Sequence, residues 1–254
     1  MKLSKRLNAV VDLMESCGKL CDIGCDHGYV SIESVLRGRA RYSIAADTAK
    51  GPLDIAEKNI CDAGLKDRIS CILSDGFKRI PEDAGIDCVV ITGMGGRLIK
   101  SILKDGADSF GGFNSISQFI LGPQSEPEVL RSFLINELSL CIKKELCIED
   151  EGKFYTLLDV RRFCGNVEVY EDHGDGVSVR EKYGEADIMY GKYIDAASAG
   201  TYIKQLTHLR EKNSAAIGMA ERGSGTGAAE KIKELKYKNH LIDIKLEELD
   251  KRGI

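Results

Sequence analysis

DIGCDHGYVS, residues 22 to 31, follows the short apolar segment Lys19-Leu20-Cys21 and precedes residues able to start a helix. An apolar strand, a glycine-bearing loop and a helix in succession open a nucleotide-binding α/β domain. Gly24 and Gly28 permit a tight turn and a close approach of backbone to ligand, because neither places a Cβ in the way. Their spacing is G-x-x-x-G rather than the dinucleotide pattern G-x-G-x-x-G, and Asp22 and Asp26 flank the loop. Carboxylates placed here repel a pyrophosphate and attract a cation, since like charges at ~4 Å cost on the order of kcal/mol. S-adenosylmethionine carries an ammonium and a sulfonium, so the loop suits that cofactor better than NAD. A plain tight turn would show the same glycine pair; the flanking acids are what add chemistry.

Outward from this loop, strands and helices alternate. Leu3, Leu7, Val10, Val11 and Met14 recur at helical spacing, predicting an amphipathic helix over 3–14 that ends at Cys17-Gly18. Strands are predicted at 20–23, 42–46, 69–73, 86–91 and 118–121, and helices at 29–36, 53–63, 97–103 and 127–138. The fourth strand closes on the loop Thr92-Gly93-Met94-Gly95-Gly96. Two further β segments, 140–148 and 154–163, are joined by the turn Glu149-Asp150-Glu151-Gly152. Five strands alternating with helices predict a parallel sheet, and the closing hairpin adds antiparallel strands. The expected fold is therefore α/β, a Rossmann-like class I methyltransferase plan with a mostly parallel seven-stranded sheet.

The remainder divides differently. Residues 166–189 read as a polar, irregular linker, and 190–219 and 231–249 as helices interrupted by the glycines of ERGSGTGAAE. The expected organisation is a cofactor-binding catalytic domain over 1–165, the linker, and a coiled-coil-like helical hairpin over 190–254.

Hydrophobic residues make up 43% of the 254 and charged residues 30%, enough apolar material for a sizeable core. No apolar run approaches the ~18 residues of a membrane helix. The charged N-terminus lacks a signal-peptide pattern, so a cytoplasmic protein without membrane partners is expected. Nine cysteines without a C-x-x-C pair read as buried reduced thiols. The net charge of −4 is uneven: twelve Lys/Arg face nine Asp/Glu from Tyr190 onward, leaving the preceding part at −7. Lys231, Lys233, Lys236 and Lys238 suggest phosphate contacts, with Lys231, Lys238 and Lys245 on one helical face, although a merely solvated surface reads the same. Oligomeric state is left open, with a monomer among the readings.

Ligands in such sheets bind at the carboxyl ends of the strands. Asp22 and Gly24 would contact a methionine moiety there, Asp47 ribose hydroxyls, and Asp75-Gly76 an adenine ring and its amino group. Gly93, Met94 and Gly95 fall where methyl donor and acceptor meet. A single acid at a strand end is as readily a helix cap; three at successive strand ends form a pattern. Asp26, His27 and Tyr29 follow on the first loop, as candidate acid–base or structural groups. No second His or Glu cluster stands at ligand spacing, so no metal is expected.

LSKRL at the N-terminus, DIGCDHGYVS, GPLDIAEKNI, SDGF, ITGMGG and EDEGKFYTLL occur in this order across the first domain. In these motifs the chain resembles the bacterial tRNA adenine-N1 methyltransferases that modify adenine 22. The resemblance implies a class I catalytic domain followed by a helical hairpin, S-adenosylmethionine as cofactor and tRNA as substrate. It places Asp22, Gly24, Asp26, His27, Asp47, Asp75, Gly76 and Gly93 in cofactor-facing motifs. Gly28 and Ser31 depart from it, standing where alanine and proline are more usual, and LGPQSEPEVLR occupies a region of possible substrate contact. Competing readings are an NAD-linked Rossmann oxidoreductase, opposed by the loop acids, and a non-enzymatic RNA- or protein-binding module, opposed by the acids at the strand ends.

Overall fold

The computed structural model describes residues 3–138, 140–162, 183–222 and 227–253. Helix α1, Lys5–Leu13, is capped by Ser4, whose Oγ accepts the Leu7 N–H at 3.3 Å, and it buries Val10, Val11 and Leu13. There follow β1 Cys17–Ile23, α2 Tyr29–Leu36, β2 Ala40–Asp47, α3 Lys50–Asp62, β3 Ile69–Leu73, β4 Cys88–Gly95, α4 Gly96–Ser109, β5 Gln118–Ser125 and α5 Pro127–Asn136. The hairpin of β6 Cys141–Asp150 and β7 Lys153–Arg161 comes next, then α6 Glu185–Tyr190, α7 Ala199–Arg222 and α8 Ala228–Lys251.

The seven strands form one sheet in the order β3-β2-β1-β4-β5-β7-β6. β1 to β5 run parallel, while β7 is antiparallel to both β5 and β6. Ile91, Ile99, Leu103, Phe119 and Phe133 fill one face, and Val10, Val11, Leu20, Val35 and Ala56 the other. Coverage of both faces explains the continuous apolar runs of the central strands, each fully buried large side chain contributing roughly 1.5–3 kcal/mol. From β1 the chain winds outward to β2 and β3, and from β4 it winds the other way. The carboxyl ends of β1 and β4 therefore flank a crevice.

Three local readings are corrected. Cys17 and Gly18 start β1 instead of ending α1, because the Asp87 carboxylate takes the N–H groups of Gly18 and Lys19 at 2.8 and 2.9 Å. Residues 92–95 continue β4 instead of forming a loop: Met94 pairs with Pro123 and Gly95 with Ser125, with register shifts on either side of Met94. The long helix predicted from Tyr190 is broken. Gly191 takes a φ of +104°, and Asp195 caps a short 3₁₀ turn by accepting the Ala197 N–H at 2.9 Å, so α7 starts only at Ala199.

α7 and α8 pair antiparallel, with Arg210 on Asp243 at 2.9 Å and Asn213 on Asn239 at 2.9 Å. Tyr202, Leu206, Ile242 and Leu249 pack on Cys147 of β6, forming a separate small core. Helix α6 falls in the segment read as linker, yet it is an ordered part of this junction. Arg131 of α5 pairs with Glu145 of β6 at 2.8 Å, both buried, and also donates to the carbonyls of Ile188 and Met189 at 3.1 and 3.0 Å. Lys245, expected on an RNA-facing stripe, is only 2% exposed and holds Asp187 at 2.7 Å. Its aliphatic neighbours on α8 turn it inward, where a carboxylate awaits it. The other part of the linker reading, the boundary at residue 165, the strand end at Phe163 and most of the hairpin turn lie outside the described residues.

Cys17, Cys21, Cys25, Cys61, Cys71, Cys88 and Cys147 are free thiols, whereas Cys141 is disulfide-bonded. An apolar sequence context did not separate core cysteines from one at the start of an edge strand. Among the described residues no helix is long and apolar enough to cross a membrane.

Candidate active site

The β1–α2 loop is held by its neighbour strand: the N–H groups of Gly24 and Cys25 both donate to the Ala46 carbonyl, at 2.8 and 3.0 Å. Gly24 takes a φ of +73° and Asp26, a non-glycine, +52°. Asp22 is buried under this loop and accepts from the Ser31 N–H at 3.2 Å and its hydroxyl at 2.9 Å, tying α2 to β1. Burial pushes its carboxyl up to about 6; the Ser31 hydrogen bonds oppose this and the Asp47 charge adds to it.

Asp47 sits half-buried at the end of β2. One of its oxygens accepts the Asp26 N–H at 3.1 Å and the other the Ala49 N–H at 2.9 Å, so it braces the first loop and the start of α3. Asp75 is exposed beside Lys78, and the turn beneath it is fixed by the Ser74 hydroxyl donating to the Gly76 carbonyl at 2.8 Å. A side chain at Gly76 would press on Ile102 at 3.0 Å. The Asp26 side chain is 70% exposed, and its oxygen lies 3.6 Å from His27 Nε2, an ion-pair distance beyond hydrogen bonding. His27 Nδ1 is buried and meets no partner among the described residues, while its ring leans on Tyr29 with centroids 5.6 Å apart.

The bulged end of β4 closes the other side. Met94 Cε lies only 2.1 Å from where a Gly24 Cβ would stand, so the methionine occupies the space the glycine leaves. Gly93 is exposed with a φ of +83°. Over it stand two residues not singled out from sequence, Arg6 and Gln124, whose Nη1 and Nε2 each lie 3.7 Å from the position of a Gly93 Cβ. Arg6 also stacks on Tyr155, 5.1 Å from the ring centroid. Their motifs, LSKRL and LGPQSEP, were visible in the sequence; their meeting depends on α1 lying against β6 and β7. The structure thus joins Gly24, Gly93 and Met94 directly, and Asp26 with Asp47, while Asp75-Gly76 lies farther along the same strand-end edge. A separate groove of about 500 Å³ between α3 and β3, lined by Glu57, Lys58, Cys61, Lys66 and Cys71 among others, includes none of these groups.

Residues 3–158, spanning the whole of this edge, match the family model described as a methyltransferase domain. The chain belongs to that methyltransferase family. Along its length the methyltransferase is 29% identical over 243 residues to the tRNA (adenine(22)-N(1))-methyltransferase of Bacillus subtilis, covering 95% of this chain and 96% of the relative. It superposes with a TM-score of 0.77 on M. capricolum TrmK in complex with S-adenosyl-homocysteine, at 25% identity and covering 97% and 99% of the two chains. For the B. subtilis m1A22 tRNA methyltransferase TrmK the TM-score is 0.74 at 27% identity, with 95% and 97% covered. These matches extend well past residue 158, so the methyltransferase shares its C-terminal helices as well as its sheet with these proteins.

Proposed function

We propose that this methyltransferase transfers a methyl group from S-adenosylmethionine to N1 of adenine 22 in tRNA. The observation that carries the reading is the near full-length match to the B. subtilis enzyme of that specificity. It is joined to a strand-end edge on which carboxylates and side-chain-free glycines alternate. The reading places the protein in the cytoplasm with its tRNA.

The residues present fit the cofactor. Asp47 and Asp75, at the ends of neighbouring strands, offer acceptors for ribose hydroxyls and for an adenine amino group. Asp22, behind the loop, supplies negative charge for the ammonium and sulfonium without direct exposure. When bound, S-adenosylmethionine supplies a methyl group on a sulfonium, which the in-plane N1 lone pair accepts as the sulfonium becomes a thioether.

Adenine N1 needs no base to expose its lone pair, so the protein's contribution is alignment, which can supply on the order of 7–11 kcal/mol. Met94 and the backbone of Gly93 and Gly95 shape the wall where donor and acceptor meet. Tyr29 and His27 present a ring pair on the first loop. Methylation leaves a cationic base; exposed Asp26 stabilises that charge and can receive the proton released from the exocyclic amine. The target base must leave its stack to reach this wall, at a cost of a few kcal/mol.

Incubation of tRNA with the protein and labelled S-adenosylmethionine, followed by mass spectrometry of the digested RNA, tests the reading. One methyl at N1 of adenine 22 is expected. No incorporation, or methylation of a different atom, overturns it.

A further inference from the structure

Resting on that reading, we propose that Arg6 is an RNA contact, its guanidinium taking a phosphate beside the target adenine. Arg6 lies in the first turn of α1, and its backbone N–H donates to Asp150 Oδ2 at 3.1 Å, which pins the helix start to the end of β6. The guanidinium stacks on Tyr155 at 5.1 Å and reaches over exposed Gly93. The ring face attracts the cation without taking its N–H groups as a carboxylate would, so the guanidinium keeps donors for an oxyanion.

The charge around Arg6 gives it this use. Arg6 pairs with no carboxylate among the described residues; Arg41 and Arg68 share this, but of these Arg6 is the one that reaches the Gly93 end of β4. Asp26, Asp47 and Asp75 line the same edge, in a part of the chain that is −7 overall. A polyanion brought to that edge meets repulsion unless a cation stands on the acceptor side, and Arg6 stands over Gly93. Gln124 Nε2 lies at the same 3.7 Å from the Gly93 Cβ position, so a cation and a neutral amide both stand over this glycine.

Two substitutions test the assignment: Arg6→Gln keeps most of the stem and removes the charge, and Arg6→Lys keeps the charge without the fork. For Arg6→Gln, kcat/KM for tRNA should fall by roughly tenfold or more, while calorimetric affinity for S-adenosyl-homocysteine and the melting temperature stay near wild type. The slope of log tRNA affinity against log salt should shrink by about one, because one fewer phosphate is neutralised. Arg6→Lys should retain that slope and recover only part of kcat/KM. An Arg6→Gln variant with wild-type tRNA affinity and salt slope overturns the proposal, as does one whose loss lies in cofactor affinity. A wild-type protein that binds cofactor but leaves tRNA unmethylated overturns the parent reading instead, and tRNA affinity and its salt slope then still decide for or against Arg6.

Discussion

The carboxyl edge of the sheet and the C-terminal hairpin are both rich in charge, yet they use it in opposite ways. On the hairpin most of the named lysines have partners: Lys231 and Lys238 share Glu234, Lys236 meets Glu221, and Lys245 holds Asp187 and Glu248, while Lys233 pairs with no carboxylate among the described residues. At the sheet edge, carboxylates crowd together with few cations: Asp22 raises its pKa partly against Asp47, and Asp26 is exposed beside it. Paired charge is what a scaffold needs, and it leaves little for a partner. Charges of one sign held together destabilise the free protein and become favourable when a ligand arrives, which supports the edge over the hairpin as the candidate site. The net positive charge of the hairpin is, by this comparison, a weaker sign of RNA contact than its sequence suggests.

The largest expected effect would break the hairpin side. Arg131→Ala leaves Glu145 buried without its partner and should cost about 3–5 kcal/mol, seen as a large drop in chemical-denaturation stability. Retention of full stability would show that water or a neighbour takes over the charge. Removing residues from Ala186 onward would strip this junction wholesale, so point variants separate stability from RNA binding better than truncation does.

Asp22 sharpens the other side. Its folded pKa of about 6 lies above the ordinary 3.8, so as pH rises the unfolded chain ionises first. Folding thus loses stability between about pH 4 and 6, a loss on the order of 3 kcal/mol once both states are ionised. Asp22→Asn cannot ionise, and the stability of wild type relative to it should fall across that window. Parallel pH profiles for the two proteins would refute the assignment. Asp47→Ala should come next, weakening S-adenosyl-homocysteine binding by roughly 1–3 kcal/mol through lost hydrogen bonds, measured by calorimetry. Loss of stability with unchanged affinity would make Asp47 only a brace for the loop. The smallest effect is expected for Lys238→Ala, whose partner Glu234 is exposed: less than about 1 kcal/mol of stability. A strong, salt-dependent loss of tRNA affinity would instead return α8 to the RNA surface.

Much of the fold was legible because local signals agreed with it. The run Ile69–Leu73 is bounded by turn residues and becomes β3 to the residue, and α2 starts at Tyr29 and ends at Leu36 as its pattern indicates. What was missed depends on partners distant in sequence. The Gly-rich run after Ile91 reads as a loop unless its register with Pro123 and Ser125 is known. Tyr190 reads as continuous with the following helix until Glu145 is found against Gly191, its carboxylate oxygens 2.8 Å from where a Cβ would lie. The acids of the candidate site were visible in sequence, but Asp22's turn toward Ser31 and Arg6's place over Gly93 were not. Neither follows from periodicity or motif.

The bond from Arg6 to Asp150 spans 144 positions of the chain. On a ribosome adding about 5–20 residues per second, the first helix therefore waits roughly 7–29 s for the strand that receives it. Tyr155, its stacking platform, emerges later still. The acceptor side is consequently among the last parts of the sheet domain to be completed during synthesis. A nascent chain that has already made its glycine loop still lacks the fixed arginine, which couples the readiness of the substrate side to the arrival of β6 and β7.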